Sequence, residues 1–137
     1  MKHSYASAAS RHLEDANILL SAARWDNAAY LAGYVVECGV KAIIEIAGIL
    51  LKKHLHQISR DHLLIVADLS LAARRYPIDL DPDVAEVRRG WNIDLRYVET
   101  GTGTSEGTRR LVDRAHNVFS KTIGEMVLDG LLDRVPK

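Results

Sequence analysis

DNAAYLAGYVVECGVKAIIEIA, residues 26–47, is apolar almost all the way round, and after Asp26 its only charges are Glu37, Lys41 and Glu45. Those three stand at i, i+4 and i+8, so on a helix they form one thin line along one face. A helix this apolar buries most of its surface against neighbours and makes the central rod of a bundle. The acid-before-lysine order of Glu37 and Lys41 favours a side-chain pair worth roughly 0.2–0.5 kcal/mol even in an isolated helix. Two placements follow for the line. It forms a solvent-facing seam, or it faces Arg96 or a second subunit, where the acid holds an arginine through charge-assisted hydrogen bonds.

The run is long enough to cross a bilayer, which takes roughly 20 mainly apolar residues. Three ionisable groups so close together cost on the order of 2.5–3.5 kcal/mol each near the bilayer centre, so a spanning helix is rejected. The opening MKHSYASAASRHLEDAN lacks the apolar core of a signal peptide, and a cytoplasmic location with no membrane partner is expected. The 137 residues fit one domain, 1–137, large enough for a core without disulfides. Cys38 is the one cysteine and lies inside the rod, which points to a small buried hydrophobe. The formal net charge of zero provides no global basic field for nucleic acid. Local basic pairs stand at Lys52-Lys53, Arg74-Arg75, Arg88-Arg89 and Arg109-Arg110.

Outward from the rod, the remaining chain also has helical spacing. Tyr5, Ala9, His12, Ala16, Leu19, Leu20 and Ala23 recur at three- and four-residue steps and predict a first helix over about Ser4 to Ala23. Trp25-Asp26-Asn27 makes the corner, with Asp26 as N-cap of the rod, and so short a link packs the two helices antiparallel. A third helix is predicted from His62 to about Arg74, capped by Asp61 and closed by Tyr76-Pro77. Asp81-Pro82-Asp83 places a capping carboxylate before a first-turn proline and starts a short helix to about Trp91. Asn92 to Val98 could be briefly extended. Glu99 to Gly103, rich in glycine and threonine, is the candidate mobile loop. A final helix from Thr104 or Ser105 to about Leu132 turns Leu111, Ala115, Val118, Phe119, Thr122, Met126 and Val127 inward. The expected fold class is all-α, a four- to five-helix antiparallel bundle.

Gly101 and Gly103 match no phosphate-loop spacing. His54, His56 and His62 come without the carboxylate pattern of a metal helix, so neither a metal nor a cofactor is expected. The densest group of interaction-prone residues is WNIDLRY, Trp91 to Tyr97. It reads first as core or interface packing by Trp91 and Tyr97, and second as a pocket. If the segment is extended, Asp94 and Arg96 point the same way and pair.

Taken in order, these pieces resemble the HEPN superfamily of small helical domains from bacteria and archaea. The resemblance rests on a helix, a tight corner and a second helix bearing Glu37, Lys41 and Ala42. His62-Leu63 then opens the third helix, and Arg96-Tyr97 precedes the loop and last helix. It covers about Ser4 to Met126. It implies a helical bundle that forms a homodimer and works beside a minimal nucleotidyltransferase in a toxin–antitoxin-like pair, with nucleotide or RNA as ligand. On this basis Glu37, Lys41, Trp91, Arg96, Tyr97 and Arg110 are the ligand or interface candidates.

The resemblance also implies, for many members, a metal-independent ribonuclease built on an arginine, four to six intervening residues and a histidine near the last helix. Arg109 and Arg110 both stand at that spacing from His116. Twelve arginines and six histidines give roughly one or two such matches by chance, so helix geometry has to choose. Arg109 and His116 are two turns apart and share a face, whereas Arg110 and His116 do not. Position 118 is Val118, where one branch of the family carries a modifiable tyrosine. The reading favours a noncatalytic interaction module. The alternative is an endoribonuclease toxin, with His116 as general acid or base and Arg109 stabilising charge on the phosphate.

Overall fold

The structure, a computed structural model, describes residues 4–46 and 81–132. The predicted third helix from His62 to about Arg74, and His54 and His56 before it, lie outside the described residues. The protein is all-α. The described elements are α1 (Tyr5–Ser21), α2 (Trp25–Ile46), α3 (Pro82–Gly90), a 3-10 turn (Ile93–Tyr97) and α4 (Ser105–Phe119), which continues through a π-turn (Ser120–Gly124) into α5 (Glu125–Leu128).

α1 lies antiparallel to α2, because Tyr5 meets Lys41 and His12 meets Tyr34. α4 lies parallel to α2, because the Thr108 hydroxyl donates to the Trp25 carbonyl at 3.3 Å and Thr122 packs on Gly39. Fully buried Ala28 and Ala32 follow the same line of small residues. They let the two helices approach closely and bury Val112, Ala115 and Val118 of α4. The core is joined by Val35, Val36, Val40 and Ile43 of the rod, Ala9, Leu13 and Ala16 of α1, and Val84 and Val87 of α3.

The α1–α2 corner ends α1 with a Schellman-type motif. Arg24 N–H donates to the Leu19 carbonyl at 2.8 Å and Ala23 N–H to that of Leu20 at 3.2 Å. Such a turn needs a left-handed residue, and here it is Ala23, with φ of 59°. Ala23 is therefore exposed, a correction to its expected inward place. A left-handed alanine costs roughly 1–2 kcal/mol, part of which glycine returns through its freer unfolded chain. Ala23→Gly should accordingly stabilise the fold by about 0.5–1 kcal/mol, read as a higher urea midpoint at unchanged m-value.

Four further expectations are corrected. Asp26 lies inside the first turn of α2 and does not cap it. Its carboxylate accepts from the loop amides of Gly101 at 2.8 Å and Gly103 at 2.6 Å. The loop expected to be mobile is therefore pinned. Asn92 to Val98 is not extended, because the Asn92 side chain accepts from Asp94 N–H at 2.8 Å and turns the chain into the 3-10 geometry. The last helix stops at Leu128. Its π-turn, where Thr122 back-bonds to the Val118 carbonyl at 2.8 Å, shifts the phase so that Thr122, Ile123 and Met126 are all buried. α3 begins as expected, with Asp81 accepting from Asp83 and Val84 amides.

Candidate functional site

The arginine–histidine element falls on α4. Arg109, Arg110 and His116 are all exposed. Arg109 turns toward the start of α2 and lies 5.9 Å from the centre of the Trp25 ring. Arg110 is 3.7 Å from Glu106. These side chains, with Asp113, Arg114 and Asn117, line one polar cleft along the first turns of α4. His116 is not part of that lining. Seven residues of helix set its Cα roughly 10.5 Å from that of Arg109 along the axis. Arg109 and Arg110 are thus brought together, while the histidine stands apart.

The charged line on the rod is not a solvent seam at its first two members. Glu37 is 2% exposed and Lys41 8% exposed, and they form an ion pair of 2.6 Å. The Lys41 ammonium also sits 5.7 Å from the Tyr5 ring centre. Glu45 is exposed. Burial beside this pair pushes the Cys38 thiol up to about 11, which keeps it protonated and inert near neutrality.

Trp91 is in the core, as its first reading held. Its indole N–H donates to the Tyr30 carbonyl at 2.9 Å. The ring stacks on Tyr30 and meets Tyr34 edge-on at 5.3 Å. Tyr97 is not core: it is 73% exposed. Arg96 lies 4.7 Å over its ring, with the Tyr30 phenol also near it. The hydroxyls of Tyr30 and Tyr34 are 2.9 Å apart. Arg96 thus stands beside the Tyr30–Tyr34 hydroxyl pair of the rod. Burial and the Tyr30 hydroxyl push the Tyr34 phenol up. Burial and neighbouring Arg11 pull the His12 imidazole down.

Two arrangements escape sequence reasoning. In one, the buried Asp83 carboxylate of α3 accepts from Arg114 at 2.9 Å and Lys121 at 2.6 Å. Arg114 also meets Glu86, and Lys121 meets Asp81. The first-turn acid was visible, but no local signal names partners more than thirty residues away. In the other, Asp26, Ala29, Leu95, Val98 and Leu111 surround an apolar cavity of about 240 Å3 beside the pinned loop. Asp26 and the loop glycines are far apart in sequence, so no spacing rule joins them. Among the described residues there is no group of three or more histidine, cysteine or acidic side chains that could hold a metal. No helix among them is long and apolar enough to cross a membrane.

Comparison with known families matches residues 3–126 to the model described as HEPN domain. No curated protein and no solved structure matches the chain.

Proposed function

The chain belongs to the HEPN domain family, and on that premise we propose that it is a homodimeric interaction module. In this reading it pairs with a minimal nucleotidyltransferase in a toxin–antitoxin-like system and holds RNA phosphates without cutting them. The observation that carries it is the Arg109–Arg110 cleft with His116 outside its lining. A guanidinium pair binds phosphate oxygens well. Proton transfer needs an acid or base within about 2.6–3.2 Å of the reacting oxygen, and one protomer places its histidine two turns from Arg109. Glu106 and Asp113 temper the field, and a phosphate entering the cleft would take Arg110 from Glu106.

One observation favours the endoribonuclease alternative: Arg109 and His116 are both exposed on one side of α4, where a second subunit could complete a site. A single experiment separates the two. The purified chain is incubated with single-stranded RNA in excess chelator, and binding and cleavage are read together. The module reading expects no cleavage and unchanged binding in His116→Ala. It expects at least tenfold weaker binding in the Arg109→Ala/Arg110→Ala double variant, from the loss of two charge-assisted contacts. Cleavage by the wild type that His116→Ala abolishes would replace it with the nuclease. Co-purification with a small nucleotidyltransferase, and the mass of the complex, test the partnership and the dimer.

A further inference from the structure

The first two turns of α4 separate two concavities. Arg109 and Arg110 face the polar cleft, while Thr104, Gly107, Thr108 and Leu111 face the apolar cavity on the other flank. Gly107 places no side chain between them. The cavity's other walls are Ala29, Leu95 and Val98, and its volume of about 240 Å3 is below the roughly 300–1,000 Å3 of pockets that enclose a drug-sized molecule. One ring system fits, but a whole nucleoside triphosphate does not. Its single charge is the Asp26 carboxylate. That carboxylate is already held by two amides, which pull it below the usual carboxylate range. A phosphate is repelled there. A base edge with an N–H group is accepted, because each oxygen keeps a lone pair.

An exposed aromatic precedes one wall of the cavity in the chain. Wall residue Val98 is 44% accessible, and Tyr97, the residue before it, is 73% accessible. Arg96 lies over the Tyr97 ring and adds a cation where a sugar-phosphate backbone would pass. Charge thus sorts the two hollows: phosphate to the arginines, base to the apolar pocket.

We propose that this cavity takes one unstacked base of a single-stranded RNA, with the exposed Tyr97, next to wall residue Val98, as a stacking platform and the adjoining phosphates in the Arg109–Arg110 cleft. The inference rests on the RNA-binding part of the function proposed above and gives it a base-contacting subsite. Stacking on an exposed aromatic contributes about tenfold or more in affinity per base, and a duplex withholds its bases from such a surface.

The test measures fluorescence anisotropy of a short labelled single-stranded RNA with the full chain and with Tyr97→Ala, Val98→Asp and Arg109→Ala. All three side chains reach the surface, and thermal melts verify that the variants fold. The proposal expects about tenfold weaker binding in Tyr97→Ala and in Val98→Asp, and weak binding of the same sequence as a duplex. If Arg109→Ala alone weakens binding, the base subsite is overturned while the phosphate-binding reading stands. Equal affinity for duplex, or competition by a nucleoside monophosphate at the same concentration as the oligonucleotide, also overturns it. No binding by the wild type removes both.

Discussion

Replacing Gly33 by alanine should destabilise the fold by about 3 kcal/mol, although the same exchange inside an exposed helix gains about 1 kcal/mol. A methyl group built at Gly33 would project directly into the Trp91 indole, onto Nε1, Cε2 and Cδ2, far inside van der Waals contact. The ring cannot step aside cheaply. It is 5% exposed, its N–H is fixed to the Tyr30 carbonyl, and Tyr30 and Tyr34 flank it. Either the indole leaves its seat and forfeits a buried aromatic worth about 3–5 kcal/mol, or α2 moves away from it at a comparable cost. For a chain this size the melting temperature should fall by roughly 10 °C. Gly33→Ala combined with Trp91→Ala should be less destabilised than the sum of the two, because the second change removes the obstacle. A Gly33→Ala protein as stable as the wild type would show that the indole does not sit against this glycine. The functional consequence follows from chain order: Trp91 anchors the turn that carries Leu95, Arg96, Tyr97 and Val98, so the variant should also lose affinity for single-stranded RNA.

This contact shows where sequence reasoning reaches its limit. Long-period signals survive folding well. The apolar run from Asp26 announces a buried rod, Asp81-Pro82-Asp83 announces a helix start, and the helical class follows from such elements together. Residue pairs that meet only in three dimensions carry no such signal. Nothing near Gly33 names Trp91, and nothing near Asp26 names Gly101 or Gly103. The Glu37–Lys41 pair was legible as a pair because the helix itself sets its spacing. Its burial was not, since that depends on what packs over it. Arg109 and His116 were legible as a shared face, but the turn of Arg109 toward Trp25 was not. The inner stripe of the last helix drifted for a local reason: Val112 and Ile123 are buried where Leu111 and Val127 were expected, the latter change coming with the π-turn, which ordinary 3.6-residue counting does not include.

The second large effect is expected at Asp83. Burial alone would push its carboxyl up, but the hydrogen bonds from Lys121 and Arg114 outweigh that and hold it below the usual carboxylate range. The Lys121 ammonium is correspondingly pushed up, first by Asp81 and then by Asp83. Because the folded carboxyl titrates lower than the unfolded one, its contribution is fully present above the unfolded value near 4. It is lost as pH falls through the lower folded value. The lysine has the opposite sign, so its contribution is present below about 10.4 and lost as pH rises beyond it. Between those limits Asp83→Asn should cost about 2 kcal/mol, in line with charge-assisted bonds of roughly 1.5–3 kcal/mol each, partly replaced by the amide oxygen. Lys121 keeps Asp81 at 2.8 Å and Arg114 keeps Glu86 at 2.9 Å, so the loss should stay below that of an orphaned buried charge. Below about pH 4 the difference between wild type and variant should shrink, because the unfolded carboxyl then takes up a proton that the native one resists, until at lower pH both are protonated. Urea midpoints measured from neutral pH into the acid range test this. A gap that stays constant through the acid range would mean that Asp83 contributes by shape and packing, and not by its charge. The network also clamps α3 to α4 behind the polar cleft, where Arg114 belongs to both. Loosening it should therefore weaken RNA binding modestly at neutral pH, whereas the Arg109→Ala/Arg110→Ala variant should lose binding with its stability intact.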